Sequence, residues 1–292
     1  MIFSFVILHY KTYKDTLQCI KSILELQYDQ NITINIVVVD NASNDGSLEK
    51  IREFAYGLDK LYIIENDKNL GFAKGNNVGY KFARDSLKSD FIAILNNDVI
   101  ISSKDLITQA IHIYQRDRYH LLGPDIVSLI DGGHQNPAIT TSTNIINIKK
   151  EILRYRVLLL LNKIGLYDAL KCFLSRKKTV TAIPHDKEID IKFGCQLHGS
   201  FIIYSPLYIQ SEEFAFYPET FLYGEEAILY QHCIKKNYAI EYNNAIKVYH
   251  KEDSSTSFIT KTPKKKRNFV FSNIVRSQKV FLDFLNNPEK WP

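Results

Sequence analysis

The chain has 292 residues, 45 % hydrophobic and 24 % charged, with 12 glycines and 8 prolines. That composition excludes a collagen-like, low-complexity or disordered chain, and the length suits one large α/β domain or a domain with an appendage. The 37 basic and 32 acidic residues leave a net charge of +5, too small an excess to mark a nucleic-acid binder by itself.

The cysteines Cys19, Cys172, Cys195 and Cys233 are far apart and form no CxxC pair. They predict reduced, buried thiols of a cytoplasmic protein, not a zinc site or a disulfide framework. The densest apolar run, Val157 to Leu161, is far shorter than the roughly 20 residues of a membrane-spanning helix. The N-terminal Met-Ile-Phe-Ser-Phe-Val-Ile-Leu lacks a basic flank and a small-residue cleavage site, and reads as a first strand, not a signal peptide.

In chain order, Ile2–Leu8 is a near-continuous apolar run, the pattern of a strand buried on both faces. Thr16–Leu26 follows with Leu17, Ile20, Ile23 and Leu24 near helical spacing. Then come strand Ile34–Val39, helix Ser47–Ala55, strand Leu61–Ile64, helix Ala73–Ala83 and strand Phe91–Leu95. This alternation predicts right-handed βαβ units and an open parallel sheet with helices on both faces. Ligands bind such sheets at the carboxyl ends of the strands. The residues found there are His9-Tyr10, Asp40-Asn41, Glu65-Asn66 and Asn96-Asn97-Asp98.

Past residue 120 the rhythm changes. Residues 124–147 are rich in turn formers and show no helical period. Glu151–Lys178 reads as a basic helical segment carrying Arg154, Arg156, Lys163, Lys171, Arg176, Lys177 and Lys178. Lys192–Leu207 is strand-like, Glu225–Lys236 helical, and a basic run ending Lys264–Arg267 precedes an amphipathic stretch, Phe269–Phe284. With no repeat and no linker, the chain reads as one unit, residues 1–250, with a basic C-terminal extension, residues 251–292.

The first strand is not followed by GxGxxG or GxxxxGK[ST], which argues against a dinucleotide enzyme or a P-loop ATPase. In Asp40-Asn41-Ala-Ser43-Asn-Asp45-Gly-Ser47, the Asp40 carboxylate suits the N–H of a pyrimidine or sugar hydroxyls, while Asp45 or Ser47 suits a helix cap. Asn69-Leu-Gly71-Phe-Ala-Lys74-Gly75-Asn76-Asn77-Val-Gly79 puts three glycines on one helix face, open to a ligand or another backbone, or to packing on a sheet. Lys74 is placed to meet a phosphate near the helix N-terminus. Asp98 suits a divalent cation bridging two phosphates.

Together these segments resemble the family 2 glycosyltransferases, inverting enzymes with the GT-A fold. The resemblance runs through Ile-Leu-His9-Tyr10, Val-Val-Val-Asp40-Asn41-Ala-Ser43, Asn69-Leu-Gly71-Phe-Ala-Lys74-Gly-Asn76-Asn and Ile-Leu-Asn-Asn97-Asp98, in the family's order. It is nearest to bacterial rhamnosyltransferase-like members that build surface polysaccharides. It implies a GT-A, Rossmann-like, mostly parallel sheet whose first hundred residues form the nucleotide-sugar half and residues 101–250 the acceptor half.

By the same resemblance, Asp40 corresponds to the base-binding acid and Asp98 to the metal-binding acid. The segment Gly71 to Asn77 corresponds to the donor-binding stretch. Glu226 in Phe221-Leu-Tyr223-Gly-Glu225-Glu226 lines up with the general base, with Glu225 the alternative; His250 matches a histidine that completes the metal shell. His198, Gly199 and Tyr223 are expected around the acceptor. The implied partners are a dTDP- or UDP-type sugar carrying rhamnose or a hexose, a Mn²⁺ or Mg²⁺ cofactor, and a polyprenyl-linked saccharide acceptor. The basic segments add an expectation of peripheral contact with an anionic inner leaflet. Asn96 stands where the metal motif commonly begins with an acid, which keeps open a nucleotide-sugar binder without transfer activity. A nucleic-acid binder using the basic clusters is the other alternative, opposed by the acids at the strand ends.

Overall fold

The computed structural model describes residues 1–138, 140–169, 194–252 and 262–292. The first half runs β1 (Ile2–His9), α1 (Tyr13–Leu24), β2 (Thr33–Asp40), α2 (Ser47–Ala55), β3 (Leu61–Glu65), α3 (Gly71–Lys81), β4 (Phe91–Asn96) and β5 (Val99–Ile101). It continues with α4 (Leu106–Asp117), β6 (Leu121–Ser128), α5 (Ile145–Lys163), β7 (Phe201–Tyr204), α6 (Pro206–Ser211), α7 (Glu225–Lys236), β8 (Ile240–His250) and α8 (Pro263–Asn286).

All eight strands join one sheet in the order β3-β2-β1-β4-β7-β6-β8-β5. The β3-β2-β1-β4 half is parallel, as the alternation predicts, and its register sets His9 beside Asp40 and Leu8 beside Asn96. The carboxyl ends are therefore level. The other half is mixed: β7 runs antiparallel to β4 and β6, and β5 antiparallel to β8.

The near-continuous apolar run of β1 is explained by helices on both faces. Phe3, Phe5 and Ile7 pack with Ile20 and Ile23 of α1, Ile51 of α2 and Leu106 and Ala110 of α4. Val6 points the other way, among Ala73 and Tyr80 of α3, Tyr208 of α6 and Leu229 and Cys233 of α7. Burying a side chain of this size is worth roughly 1.5–3 kcal/mol. A third cluster joins Ile148 and Ile152 of α5, Ile228 of α7, and Phe281 and Phe284 of α8. The C-terminal helix is thus packed onto the helix that begins at Glu225.

Several local expectations shift. The basic helix starts at Ile145 instead of Glu151, because Asn144 caps it by accepting from the Ile146 and Asn147 N–H groups at 2.9 and 3.2 Å. Lys171, Cys172, Arg176, Lys177 and Lys178 lie outside the described residues. Residues 124–147 begin inside β6, which extends to Ser128, and end inside α5, which starts at Ile145. The glycine stripe of α3 serves packing more than ligand approach: side chains at Gly75 and Gly79 would strike Leu8, Val6 and Val39 of the sheet. Within the Lys264–Arg267 run, Arg267 is committed internally, donating to Asn162 Oδ1 at 2.7 Å and Asp168 Oδ2 at 3.0 Å beside the Tyr167 ring.

Candidate active site

A cavity of about 420 Å³ opens at the carboxyl ends of β1 and β4. Its walls include Tyr10, Asn41, Asn69, Gly71, Asn97 and Asp98 from the parallel half. Across from them stand His198, Gly199, Tyr223, Glu225, Glu226 and His250.

Asp98 meets His250 through strand pairing. Val99 lies opposite His250 in the β5–β8 register, which sets the Asp98 Oδ1 to His250 Nε2 distance at 3.2 Å, both side chains buried. Gln135 Oε1 accepts from His250 Nδ1 at 2.8 Å, which orients the ring so that Nε2 faces the carboxylate. A ring nitrogen and a carboxylate oxygen 3.2 Å apart share either a proton or a cation. One carboxylate and one imidazole fit a divalent cation whose remaining ligands are phosphate oxygens and water. Among the described residues no three of His, Cys, Asp and Glu converge, so such an ion would depend on the ligand's phosphates.

The loop leading into α3 is organised by Asn41. Its Nδ2 donates to Asn69 Oδ1 and to Gly71 O, both at 3.1 Å, and its Oδ1 accepts from Leu70 N–H at 2.9 Å. Gly71 has φ +81°, and a side chain there would collide with the Phe221 backbone. The neighbouring Phe72 N–H donates to Phe221 O at 2.7 Å, tying this loop to the one that leads into α7. Asn97 reaches the cavity wall while its Nδ2 donates to Thr12 Oγ1 and Thr16 Oγ1 at 2.7 and 3.0 Å.

The two glutamates opening α7 differ sharply. Glu225 is 2 % exposed, and its Oε1 has no hydrogen-bond partner. Burial first, and the neighbouring Glu226 charge second, push its carboxyl up to about 8, so it holds a proton at neutral pH. Glu226 is partly exposed to the cavity, and its Oε1 accepts the Gly199 N–H at 3.3 Å. Burial lowers the His198 imidazole below its ordinary value and His250 adds to this, against the opposing pull of Glu226, Glu252 and Asp98.

Not every expected residue reaches the cavity. His9 is fully buried behind it, its ring nitrogens 2.7 Å from Thr16 Oγ1 and 2.9 Å from Ser47 Oγ. Burial lowers its pKa against the opposing Asp40 and Asp45 charges, so this neutral imidazole ties β1 to α1 and α2. Asp40 accepts from the Ser43 N–H and hydroxyl, and Ser43 accepts from Lys11 N–H at 2.9 Å, so this cluster shapes the turn after β2. Lys74 faces Glu219 at 3.9 Å on the surface, and Asn76 Nδ2 donates back to Phe72 O at 3.1 Å within α3. Phe72 of the Gly71–Asn77 stretch and Leu222 of the loop before α7 also line the cavity, as does Phe269, which belongs to none of the motifs. Phe269 comes from α8 and carried no local signal, because its place depends on how α8 docks.

Residues 4–178 match the family model for Glycosyl transferase family 2. The low-salt glycan biosynthesis hexosyltransferase Agl10 of Haloferax volcanii is 28 % identical over 125 residues, 43 % of this chain and 36 % of that protein. Glycosyltransferase GlyG of Streptococcus pneumoniae serotype 4 is 27 % identical over 122 residues, 42 % and 38 % of the two chains. The matched stretch is thus little more than a third of either relative's length. Among solved structures, S. aureus TarS 1–349 in complex with UDP superposes with TM-score 0.54 at 15 % identity, covering 99 % of this chain and 72 % of that one. Mannosyltransferase PcManGT from Pyrobaculum calidifontis, in complex with GDP-Man and Mn²⁺, gives 0.55 at 11 % identity, covering 97 % and 72 %. At these identities the superpositions establish the fold, which is GT-A.

Proposed function

Since the chain belongs to glycosyl transferase family 2, we propose that it transfers a sugar from a nucleotide-diphosphate donor to a saccharide acceptor, with inversion. The observation that carries this reading is one cavity walled by both the Asp98–His250 pair and Glu226. An inverting transfer needs a base for the acceptor hydroxyl on one side of the anomeric carbon and charge stabilisation of the departing diphosphate on the other. Glu226 takes the hydroxyl proton, being open to the cavity, while Glu225 is buried and mostly protonated at neutral pH. Asp98 and His250 would hold a Mn²⁺ or Mg²⁺ ion, which when bound neutralises the leaving diphosphate. In this division residues 1–100 bind the nucleotide sugar, residues 101–250 the acceptor, and the 251–292 extension contributes Phe269.

The donor in this reading is a dTDP- or UDP-sugar carrying rhamnose or a hexose, and the acceptor a lipid-linked saccharide of surface polysaccharide synthesis. Support for a lipid-borne acceptor comes from α5. Ile146, Leu153, Val157, Leu160 and Ile164 stand exposed at helical spacing, flanked by exposed Lys149, Lys150, Arg154 and Arg156. Such a face suits peripheral contact with an anionic leaflet. No helix of the described residues is long and apolar enough to cross a membrane.

A thermal-shift screen of nucleotide sugars tests the donor. A ligand at 100 times its dissociation constant stabilises by about 2.7 kcal/mol, so the true donor stands out as a clear rise in Tm. A shift with UDP-, dTDP- and GDP-sugars all absent would defeat the reading. Donor binding without turnover across a panel of acceptors would favour a binding protein instead.

A further inference from the structure

A second cavity, of about 270 Å³, lies between α5, α7 and α8 and touches the first through two shared residues, Tyr223 and Glu226. We propose that it receives the acceptor's terminal sugar as a neutral, hydroxyl-rich ring, and that Glu151 and Gln278 select that ring. The proposal rests on the transfer reading, with Glu226 as base.

The position follows from the reaction. The base must hold the acceptor hydroxyl where its oxygen reaches the donor's anomeric carbon, so the rest of the acceptor ring extends from Glu226 away from the donor, and Glu226 borders both cavities. The chemistry of the wall then names the ligand class. Glu151 Oε2 accepts from Gln278 Nε2 at 3.3 Å, while Gln278 Oε1, buried in the same wall, has no hydrogen-bond partner. A packing void between helices would be lined by apolar groups. This one carries two carboxylates and two amides, the second amide being Gln196. Among the described residues none of its lining is cationic, so a phosphate would face Glu151 and Glu226 with no counter-charge. A neutral ring meets both needs of the site. Its hydroxyls satisfy the carboxylate and amide, and its C–H face packs on the rings of Tyr155 and Tyr223.

The test uses the full chain with two separate readouts. Methyl glycosides of glucose, galactose, mannose, rhamnose and N-acetylglucosamine are titrated by saturation-transfer NMR. UDP, dTDP and GDP are titrated by calorimetry. We expect at least one glycoside to bind saturably, and Gln278→Leu and Glu151→Gln each to weaken it by about three- to tenfold with nucleotide affinity unchanged. Gln278→Leu should still fold, because it removes an unpartnered carbonyl together with only the single Nε2 bond to Glu151. Should the glycoside bind both variants as it binds the parent, the pair only holds α5 to α8 and the proposal falls. It falls equally if no glycoside binds. A parent chain that binds glycoside but no nucleotide would instead defeat the transfer reading, and that result is read in the other titration.

Discussion

Gly199 and Glu226 are fitted to each other: the glycine N–H lies 3.3 Å from Glu226 Oε1, and a Cβ at 199 would sit 2.8 Å from the same oxygen. The carboxylate therefore occupies space that any other residue would claim. Gly199→Ala should displace it while leaving the sheet intact. Misplacing a catalytic group by about an ångström costs about 10²-fold in rate. We expect kcat to fall on that scale with donor affinity unchanged, measured by steady-state kinetics and calorimetry. Unaltered kcat would mean that Glu226 does not act from this position.

Glu226→Gln keeps size and polarity but removes the basic oxygen. Turnover should fall by about 10²–10⁴, the usual contribution of a general base, with donor binding preserved. Glu225→Gln is the control and should retain activity, since Glu225 already holds a proton at neutral pH. The reverse pattern would exchange the two roles.

Glu225 also makes stability depend on pH. Its carboxyl is raised in the folded protein by burial and by Glu226, with the Thr220 hydroxyl and its own backbone amide offsetting only part. The stability this protonated group allows is fully present below the unfolded value of 4.5 and is lost as pH rises toward about 8. Glu225→Gln should therefore melt like the parent near pH 4 and progressively above it from pH 5 to 8. Each kcal/mol appears as about 2–4 °C in a domain of this size. A constant Tm difference across that range would show that Glu225 stays ionised.

Asp98→Ala should abolish transfer and weaken nucleotide-sugar binding without unfolding the chain, because the carboxylate lies at the cavity and not inside either main core cluster. His250→Ala should mimic it in part. Full wild-type activity in EDTA would remove the divalent ion from the mechanism, and full activity of Asp98→Ala would remove the carboxylate.

For α5, co-sedimentation with vesicles separates a membrane face from a solvated one. The chain should bind vesicles rich in anionic lipid, release with salt, and bind neutral vesicles poorly, each basic residue contributing about 1 kcal/mol. Leu153→Ser with Leu160→Ser should weaken the binding. Equal binding to both vesicle types, or none, would return this face to solvent.

Much of the first hundred residues was legible from local pattern. β1 to β4 and α1 to α3 follow from the switch between apolar runs and helical spacing, and the polar residues at the strand ends follow from the parallel sheet those elements build. The beginning of α7 at Glu225 was equally plain. Local pattern reports how a segment buries its own side chains, and it says nothing about which distant segment it meets. So the reversal of β7 and the three-residue β5 stayed hidden, and Asp98 and His250 were joined by the family resemblance alone, without the β5–β8 pairing that brings them together. The same holds for His9, a polar residue at a strand end that only the docking of α1 and α2 turns into a buried link between Thr16 and Ser47. The amino-acid sequence by itself determined the family, the parallel half of the sheet and the carboxylates at its edge. The tertiary structure alone decided which of two adjacent glutamates is buried, with its carboxyl raised, and which faces the cavity, because only packing sets burial.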